Sequence, residues 1–142
     1  MQVKEVMSRR IIAISPEESV AVAARLLSQH NIGALPVCSR DERLRGMVTD
    51  RDIVVRCVAA GDDPERTRVA EIMTRRILAA EPDRSVDEAA RLMAREQVRR
   101  LPVQERGRLV GMVSLGDVAV RPDYTMEAGE ALQEISQNIR RV

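Results

Sequence analysis

Short apolar runs alternate with amphipathic stretches along the chain, and the alternation occurs twice. In the first half, residues 11–14 read as a short buried strand. Ser15, Pro16, Glu17 and Glu18 resemble a helix start, with a capping hydroxyl, proline in the first turn and an acid three residues on, and Ser19 competes as the cap. Val20, Ala23, Ala24 and Leu27 then recur at helical spacing, and the pattern ends near His30 and Asn31. Residues 35–38 predict a second strand, entered through Gly33, and polar residues 39–43 make the turn. Residues 44–48 predict a third strand, and residues 50–60 a second helix closed by Gly61.

The second half repeats this order. Residues 77–80 predict a strand, 85–96 a helix, 100–104 and 109–113 two strands, and 115–120 a short helix stopped before Pro122. Residues 6–13 align with 72–79 at an offset of 66, which holds through Pro16/Pro82, Ser19/Ser85, Leu26/Leu92 and Leu35-Pro36-Val37/Leu101-Pro102-Val103. It falls to 65 at Gly46/Gly111, because the intervening loop is one residue longer in the first copy. Similarity at a fixed period over so many positions marks a duplicated unit. Units this small bury too little apolar surface alone, so the two are expected to pack together about a pseudo-twofold axis. The predicted domains are residues 3–61 and 69–121, joined by a polar linker at 62–68 that carries Pro64. The tail, 122–142, contains a predicted helix over 126–141 with Ala128, Leu132, Ile135 and Ile139 on one side. That helix either covers the core or mediates self-association. The fold class is α/β of the α+β kind, each repeat reading β-α-β-β-α, with an additional C-terminal helix.

Composition narrows the chemistry. Of 142 residues, 44% are apolar, yet one Tyr is the sole aromatic, so the core must be aliphatic. Charged residues make up 32% with a net charge of +1, which argues against nucleic-acid binding through bulk charge. Lys4 is the only lysine, so the cationic groups are arginines, suited to planar bidentate contacts with carboxylate or phosphate. Cys38 and Cys57 are not in a paired motif and His30 is the sole histidine, so no zinc or iron–sulfur spacing exists. Two isolated thiols fit a reduced, cytoplasmic setting. The first residues do not read as a signal peptide, and no apolar run is long enough to span a membrane.

One heptapeptide appears in both halves: Gly46-Met47-Val48-Thr49-Asp50-Arg51-Asp52 and Gly111-Met112-Val113-Ser114-Leu115-Gly116-Asp117. Each places a hydroxyl and a carboxylate three residues apart at a strand-to-helix turn. Asp52 or Asp117 could accept two hydrogen bonds from a vicinal diol such as ribose, with Thr49 or Ser114 beside it. Free amides at the helix start would attract an anion. Arg56 and Arg121 lie one helical turn beyond each acid, and Arg99 and Arg100 precede the second Leu-Pro-Val strand where the first copy has Gly33 and Ala34. That asymmetry predicts unequal pockets, the second favouring a phosphorylated ligand. The same residues equally make a capping box that needs no ligand. No nucleophile–base pair or other catalytic set accompanies the motif, so no enzyme activity is expected.

The strand order, the Leu-Pro-Val strands and the doubled Gly-apolar-apolar-Thr/Ser-x-x-Asp motif resemble a pair of cystathionine-beta-synthase (CBS) domains over residues 3–121. The strings at 32–38, 46–55 and 59–61 are similar to the small stand-alone bacterial members of that family. The resemblance implies a regulatory Bateman module with two clefts, commonly a homodimer. Its ligands would be AMP, ADP, ATP, NAD, S-adenosylmethionine or a cyclic dinucleotide, with no cofactor required. On that pattern Asp52 and Asp117 hold ribose, with Thr49 and Ser114 at its phosphate edge. Ile12, Ala13 and Ser15 in one copy, and Leu78, Ala79 and Glu81 in the other, line the base. Arg56, Arg99, Arg100 and Arg121 contact phosphate. A protein effector would receive the signal. The competing reading is a structural or protein-interaction module without a nucleotide. Nucleic acid and membrane are not expected partners.

Overall fold

The computed structural model describes residues 1–119 and 125–136. Arg121, the stop before Pro122 and the far end of the tail helix with Ile139 lie outside them. In chain order the elements are a 3-10 turn at Val3–Glu5, α1 (Val20–His30), β1 (Ala34–Cys38), β2 (Leu44–Thr49), α2 (Asp50–Ile53), a π-helical turn at Val54–Val58, α3 (Val69–Ile72), α4 (Val86–Glu96), β3 (Arg100–Glu105), β4 (Arg108–Ser114), α5 (Leu115–Ala119) and α6 (Thr125–Ser136). They form two two-stranded sheets, β1–β2 and β3–β4, flanked by helices.

Local chemistry accounts for the boundaries. Ser19, not Ser15, caps α1, accepting from the Val22 amide, and Ser85 caps α4 by accepting from Glu88. Asn31 and Gln97 close these helices in the left-handed conformation, at φ 52° and 58°. The buried face of α1 is Val20, Ala21, Ala23 and Leu27, so Ala21 takes the place predicted for Ala24. β1 and β2 pair antiparallel, Leu35 opposite Val48 and Val37 opposite Gly46, with a bulge before Cys38.

The first strand predicted in each repeat is reduced to one rung. Ile14 donates its amide to the Pro36 carbonyl (3.0 Å) and accepts from the Cys38 amide (2.9 Å), a parallel bridge on β1. Ala80 does the same between Pro102 and Gln104, at 2.9 Å each. The next rung of such a ladder would need an N–H from Pro36 or Pro102, which proline lacks. The predicted second helix of the first repeat also changes character. After one α-turn the chain widens, with Ala59 donating to Val54 and Asp62 to Cys57, each five residues back.

The chain resolves into two compact units, and they do not follow the repeats. One comprises Met1–Ile11, Leu78–Arg106 and Val110–Val142; the other comprises Ile12–Ile77 with Gly107–Leu109. Each repeat's core therefore takes in the segment leading the other repeat. Val69, Ile72 and Met73 join Val20, Leu35, Val37 and Val48. Val3 and Val6 join Val86, Met93, Leu101 and Val103. The backbone follows: Val69 donates to Glu18 and Ala70 to Pro16, and at the matching positions Val3 donates to Arg84 and Lys4 to Pro82.

α6 closes the core of the second repeat's unit. Ala128 and Ala131 are buried and Ile135 packs beside them, whereas Leu132, predicted to share that face, is 41% exposed. The packing face is thus one step displaced, and small side chains let α6 approach closely.

Candidate functional site

In the first repeat β2 delivers Thr49 to the mouth of α2, and the motif closes as a capping box. The Thr49 amide donates to Asp52 Oδ2 and the Asp52 amide to Thr49 Oγ1, both at 3.0 Å. Two further groups reach the same carboxylate. Thr74 Oγ1 donates to it at 3.2 Å to Oδ1, and Arg56 Nη1 lies 3.8 Å from Oδ1. Arg56 also donates to the carbonyls of Ile72 (3.1 Å) and Met73 (3.3 Å), closing the end of α3. Asp52 is only 7% exposed. The amides predicted to be free for an anion are spent: Asp50 donates to Gly33, Arg51 to its neighbour Asp50 Oδ1, and Asp52 to Thr49. Of the residues expected to line a base here, Ile12 packs on the core and Ala13 is exposed. Ser15 hydrogen-bonds the Glu17 carboxylate, and this hydroxyl holds Glu17 below the usual carboxylate range.

The second repeat builds the same box with fewer attachments. Ser114 donates its amide to Asp117 Oδ2 (3.1 Å), and the Asp117 amide donates to Ser114 Oγ (3.0 Å). Asp117 is half-buried, and among the described residues its Oδ1 has no partner. Ser8 occupies the position of Thr74, paired with Met112 as Thr74 pairs with Met47. Its hydroxyl turns instead to its own loop, 3.3 Å from the Arg10 amide. Leu115 donates to the Arg99 carbonyl (2.8 Å), leaving Gly116 as the early amide without a partner among the described residues.

Beside this box lies a cavity of about 450 Å³, walled by Arg99 and Arg100 at the start of β3, by Ser114, Leu115 and Gly116 at the strand-to-helix turn, and by α6. Both arginines are exposed, and no carboxylate among the described residues pairs with either. Three predicted residues thus converge: Arg99, Arg100 and Ser114. Asp117 adjoins the cavity through its bond to Ser114 without lining it. Ala79 and Glu81 line a separate cavity of about 190 Å³ with Arg84 and Ser85, where Glu81 and Arg84 pair at 3.7 Å. Leu78 packs against the core.

Two contributors escaped the sequence reading. Thr74 reaches Asp52 across 22 residues, and its alignment with Ser8 was the available signal. α6 supplies Ala128, Gly129 and Leu132 to the cavity, where its pattern read as a cover for the core or a self-association helix. Among the described residues no three His, Cys, Asp or Glu side chains gather to hold a metal, and Cys38 and Cys57 are both free thiols. No helix among those residues is long and apolar enough to cross a membrane.

A capping box repeated at two strand-to-helix turns, each beside a two-stranded sheet, defines a duplicated β-α module. The family model for the CBS domain matches residues 3–58 and 69–124, and the chain belongs to the CBS-domain family. It is 44% identical over 138 residues to the CBS domain-containing protein YhcV of Bacillus subtilis, covering 96% of this chain and 97% of that one. It is 39% identical over 116 residues to hypoxic response protein 1 of Mycobacterium tuberculosis, covering 82% of this chain and 81% of that one. A crystal structure of hypoxic response protein I with two coordinated zinc ions matches 85% of this chain and 98% of its own, with a TM-score of 0.79 and 37% identity. The CBS domain pair of MJ0100, in complex with 5′-methylthioadenosine and S-adenosyl-L-methionine, matches 84% of this chain and 94% of its own, with a TM-score of 0.74 and 30% identity.

Proposed function

We propose that this protein is a non-catalytic sensor whose second repeat binds an adenosine-containing ligand bearing an anionic group. The observation that carries this reading is the cavity of about 450 Å³ with Arg99 and Arg100 on its wall and no acidic residue among the described residues of its lining. Its size falls within the range of about 300–1,000 Å³ typical of small-molecule sites. Two guanidiniums without an acidic partner among the described residues favour phosphate, to which each can offer a bidentate contact. The MJ0100 pair supports the adenosine part, since it holds two adenosine-containing molecules. In this arrangement Ser114 meets the sugar, and Asp117 positions it through their two hydrogen bonds. Asp52 serves the fold, because its carboxylate is already engaged by Thr49, Thr74 and Arg56. No step needs a metal or cofactor.

Calorimetry against AMP, ADP, ATP, NAD, S-adenosylmethionine and cyclic di-AMP tests this. The expected result is one site per chain, salt-sensitive, with AMP, ADP or ATP tighter than adenosine. Absence of saturable binding across that panel would sink the proposal.

A second reading concerns partners. Val54, Val55 and Val58, in the π-helical turn, are 58%, 51% and 60% exposed. We read this apolar face as the contact between two copies of the chain, and the effector as a protein that senses the dimer. Light scattering of Val55→Asp and Val58→Asp is the check: a dimer that survives both substitutions removes the face from consideration. Two free thiols are consistent with a reducing, cytoplasmic location.

A further inference from the structure

α6 contributes more than cover to the unit it closes. Ala128, Gly129 and Leu132 form one wall of the cavity onto which Arg99 and Arg100 open. Gly129 stands inside a helix of 12 residues, where glycine is less favourable than alanine by about 1 kcal/mol. The glycines that open the two motifs have a local reason: an added Cβ would come within 2.2 Å of the Thr74 carbonyl oxygen at Gly46 and within 2.7 Å of Met7 Sδ at Gly111. Gly129 has no such reason, since a Cβ there would meet nothing within 4 Å. Its helical neighbours Ala128 and Ala131 are each 3% exposed and face the core, so packing is satisfied without help from Gly129. What the missing side chain leaves open is space along the cavity lining.

The walls differ in kind. Arg99 and Arg100 contribute one part of the lining; α6 contributes an alanine, a glycine and Leu132, an apolar side chain 41% exposed. A ligand that satisfies both has an anionic end and an uncharged body broad enough to cover Leu132. We infer that Gly129 is a specificity-determining residue. By withholding a side chain from the α6 wall it admits the body of a nucleoside monophosphate-sized ligand between Leu132 and the turn at Ser114, while the anionic end meets Arg99 and Arg100. This rests on the ligand site proposed above and adds α6 to it. Burial of Leu132 by the ligand also ties the docking of α6 to occupancy.

The test compares the wild type with Gly129→Leu, Gly129→Ala, Leu132→Trp and the double variant Arg99→Ala/Arg100→Ala. The probe is the tightest binder among AMP, ADP and ATP, measured by calorimetry, with thermal melts of every variant. Gly129→Leu and Leu132→Trp, which place bulk on the same wall, are expected to lose about tenfold or more in affinity, or about 1.4 kcal/mol. Gly129→Ala is expected to bind within about threefold of the wild type and to melt at a higher temperature, as a better helix former. If Gly129→Leu and Leu132→Trp both bind within about threefold of the wild type while the double arginine variant does not bind, the wall has no such role and the inference falls, although the site stands. If the wild type binds none of the three nucleotides, the inference falls; if it also binds none of NAD, S-adenosylmethionine and cyclic di-AMP, the site reading falls with it.

Discussion

The two copies of the Gly-Met-Val-Thr/Ser-x-x-Asp motif fold alike and end in different situations. Asp52 is held by a backbone amide, a threonine hydroxyl and an arginine, and that arginine also closes α3. Asp117 is half-buried and keeps one oxygen without a partner among the described residues. Around the first box stand Gly33, Ala34 and Asp50; around the second stand Arg99, Arg100 and Leu115. The same local geometry thus serves a clamp in one repeat and borders an arginine-lined cavity in the other. A motif shared by both halves does not carry the chemistry alone; its neighbours decide what the carboxylate is free to do.

The largest expected difference lies at the glycines that open the motif. A Cβ at Gly46 would meet the Thr74 carbonyl oxygen at 2.2 Å, a backbone atom that accepts from the Met47 amide while the Thr74 amide donates to the Met47 carbonyl. A Cβ at Gly111 would meet Met7 Sδ at 2.7 Å and the Ser8 carbonyl oxygen at 3.0 Å, and a methionine can move aside. Gly46→Ala should therefore cost about 3 kcal/mol and Gly111→Ala about 1–2 kcal/mol. Urea melts of the two variants measure both; equal losses would break the contrast.

The acids come next. Asp52→Ala leaves the Thr49 amide, the Thr74 hydroxyl and the inner face of Arg56 without their acceptor. The expected loss is about 2–3 kcal/mol, tempered because Arg56 is half exposed. Asp117→Ala gives up one amide bond and should cost about 1 kcal/mol or less. On ligand affinity the order reverses: Asp117→Ala weakens binding and Asp52→Ala leaves it unchanged in whatever fraction stays folded. Melts and calorimetry on the same preparations separate the two roles.

How far this contrast could be read beforehand follows from the range of the interactions. Caps, strands and turns depend on residues a few positions apart, so Ser19 as the competing cap of α1 and the capping boxes at Thr49 and Ser114 were legible. The duplication was legible because similarity at a fixed period needs no structure. Hidden features needed contacts across the chain. The exchange of leading segments between cores sets Val69 beside Glu18 and Val3 beside Arg84, pairings no periodicity reports. The loss of a full first strand was encoded in Pro36 and Pro102, but only once it is known which strand edge they face. At the candidate site, Arg99, Arg100 and Ser114 were found from their spacing, whereas Gly129 lies in a helix whose position no repeat could supply.

A smaller effect tests the third attachment of Asp52. Thr74→Val keeps the shape of the side chain and removes the hydroxyl that reaches the carboxylate at 3.2 Å. A hydrogen bond to a charged group suggests a loss of about 1–2 kcal/mol. Ser8→Ala, at the matching place, removes only contacts within its own exposed loop and should stay within about 0.5 kcal/mol of the wild type. If the two variants melt alike, the Thr74 bond contributes nothing to the clamp.

The smallest difference is one of pH. Cys38 on β1 matches Gln104 on β3, so only the first repeat carries a titratable group at that position. Burial pushes the Cys38 thiol above its ordinary value, and the nearby Glu42 carboxylate adds to the shift. The sign follows from linkage: an acid whose folded pKa is raised keeps its full contribution below the unfolded value and loses it as pH rises through the folded one. The unfolded thiol ionises first, at about pH 8.5, so alkaline pH favours the unfolded chain through this group. Wild type and Cys38→Ser should therefore differ by a constant stability up to about pH 8, with the wild type losing ground against the variant above it. Urea melts at pH 7, 9 and 10 follow that difference. A difference that stays level across the range would mean that the folded chain leaves Cys38 as easily ionised as the unfolded one.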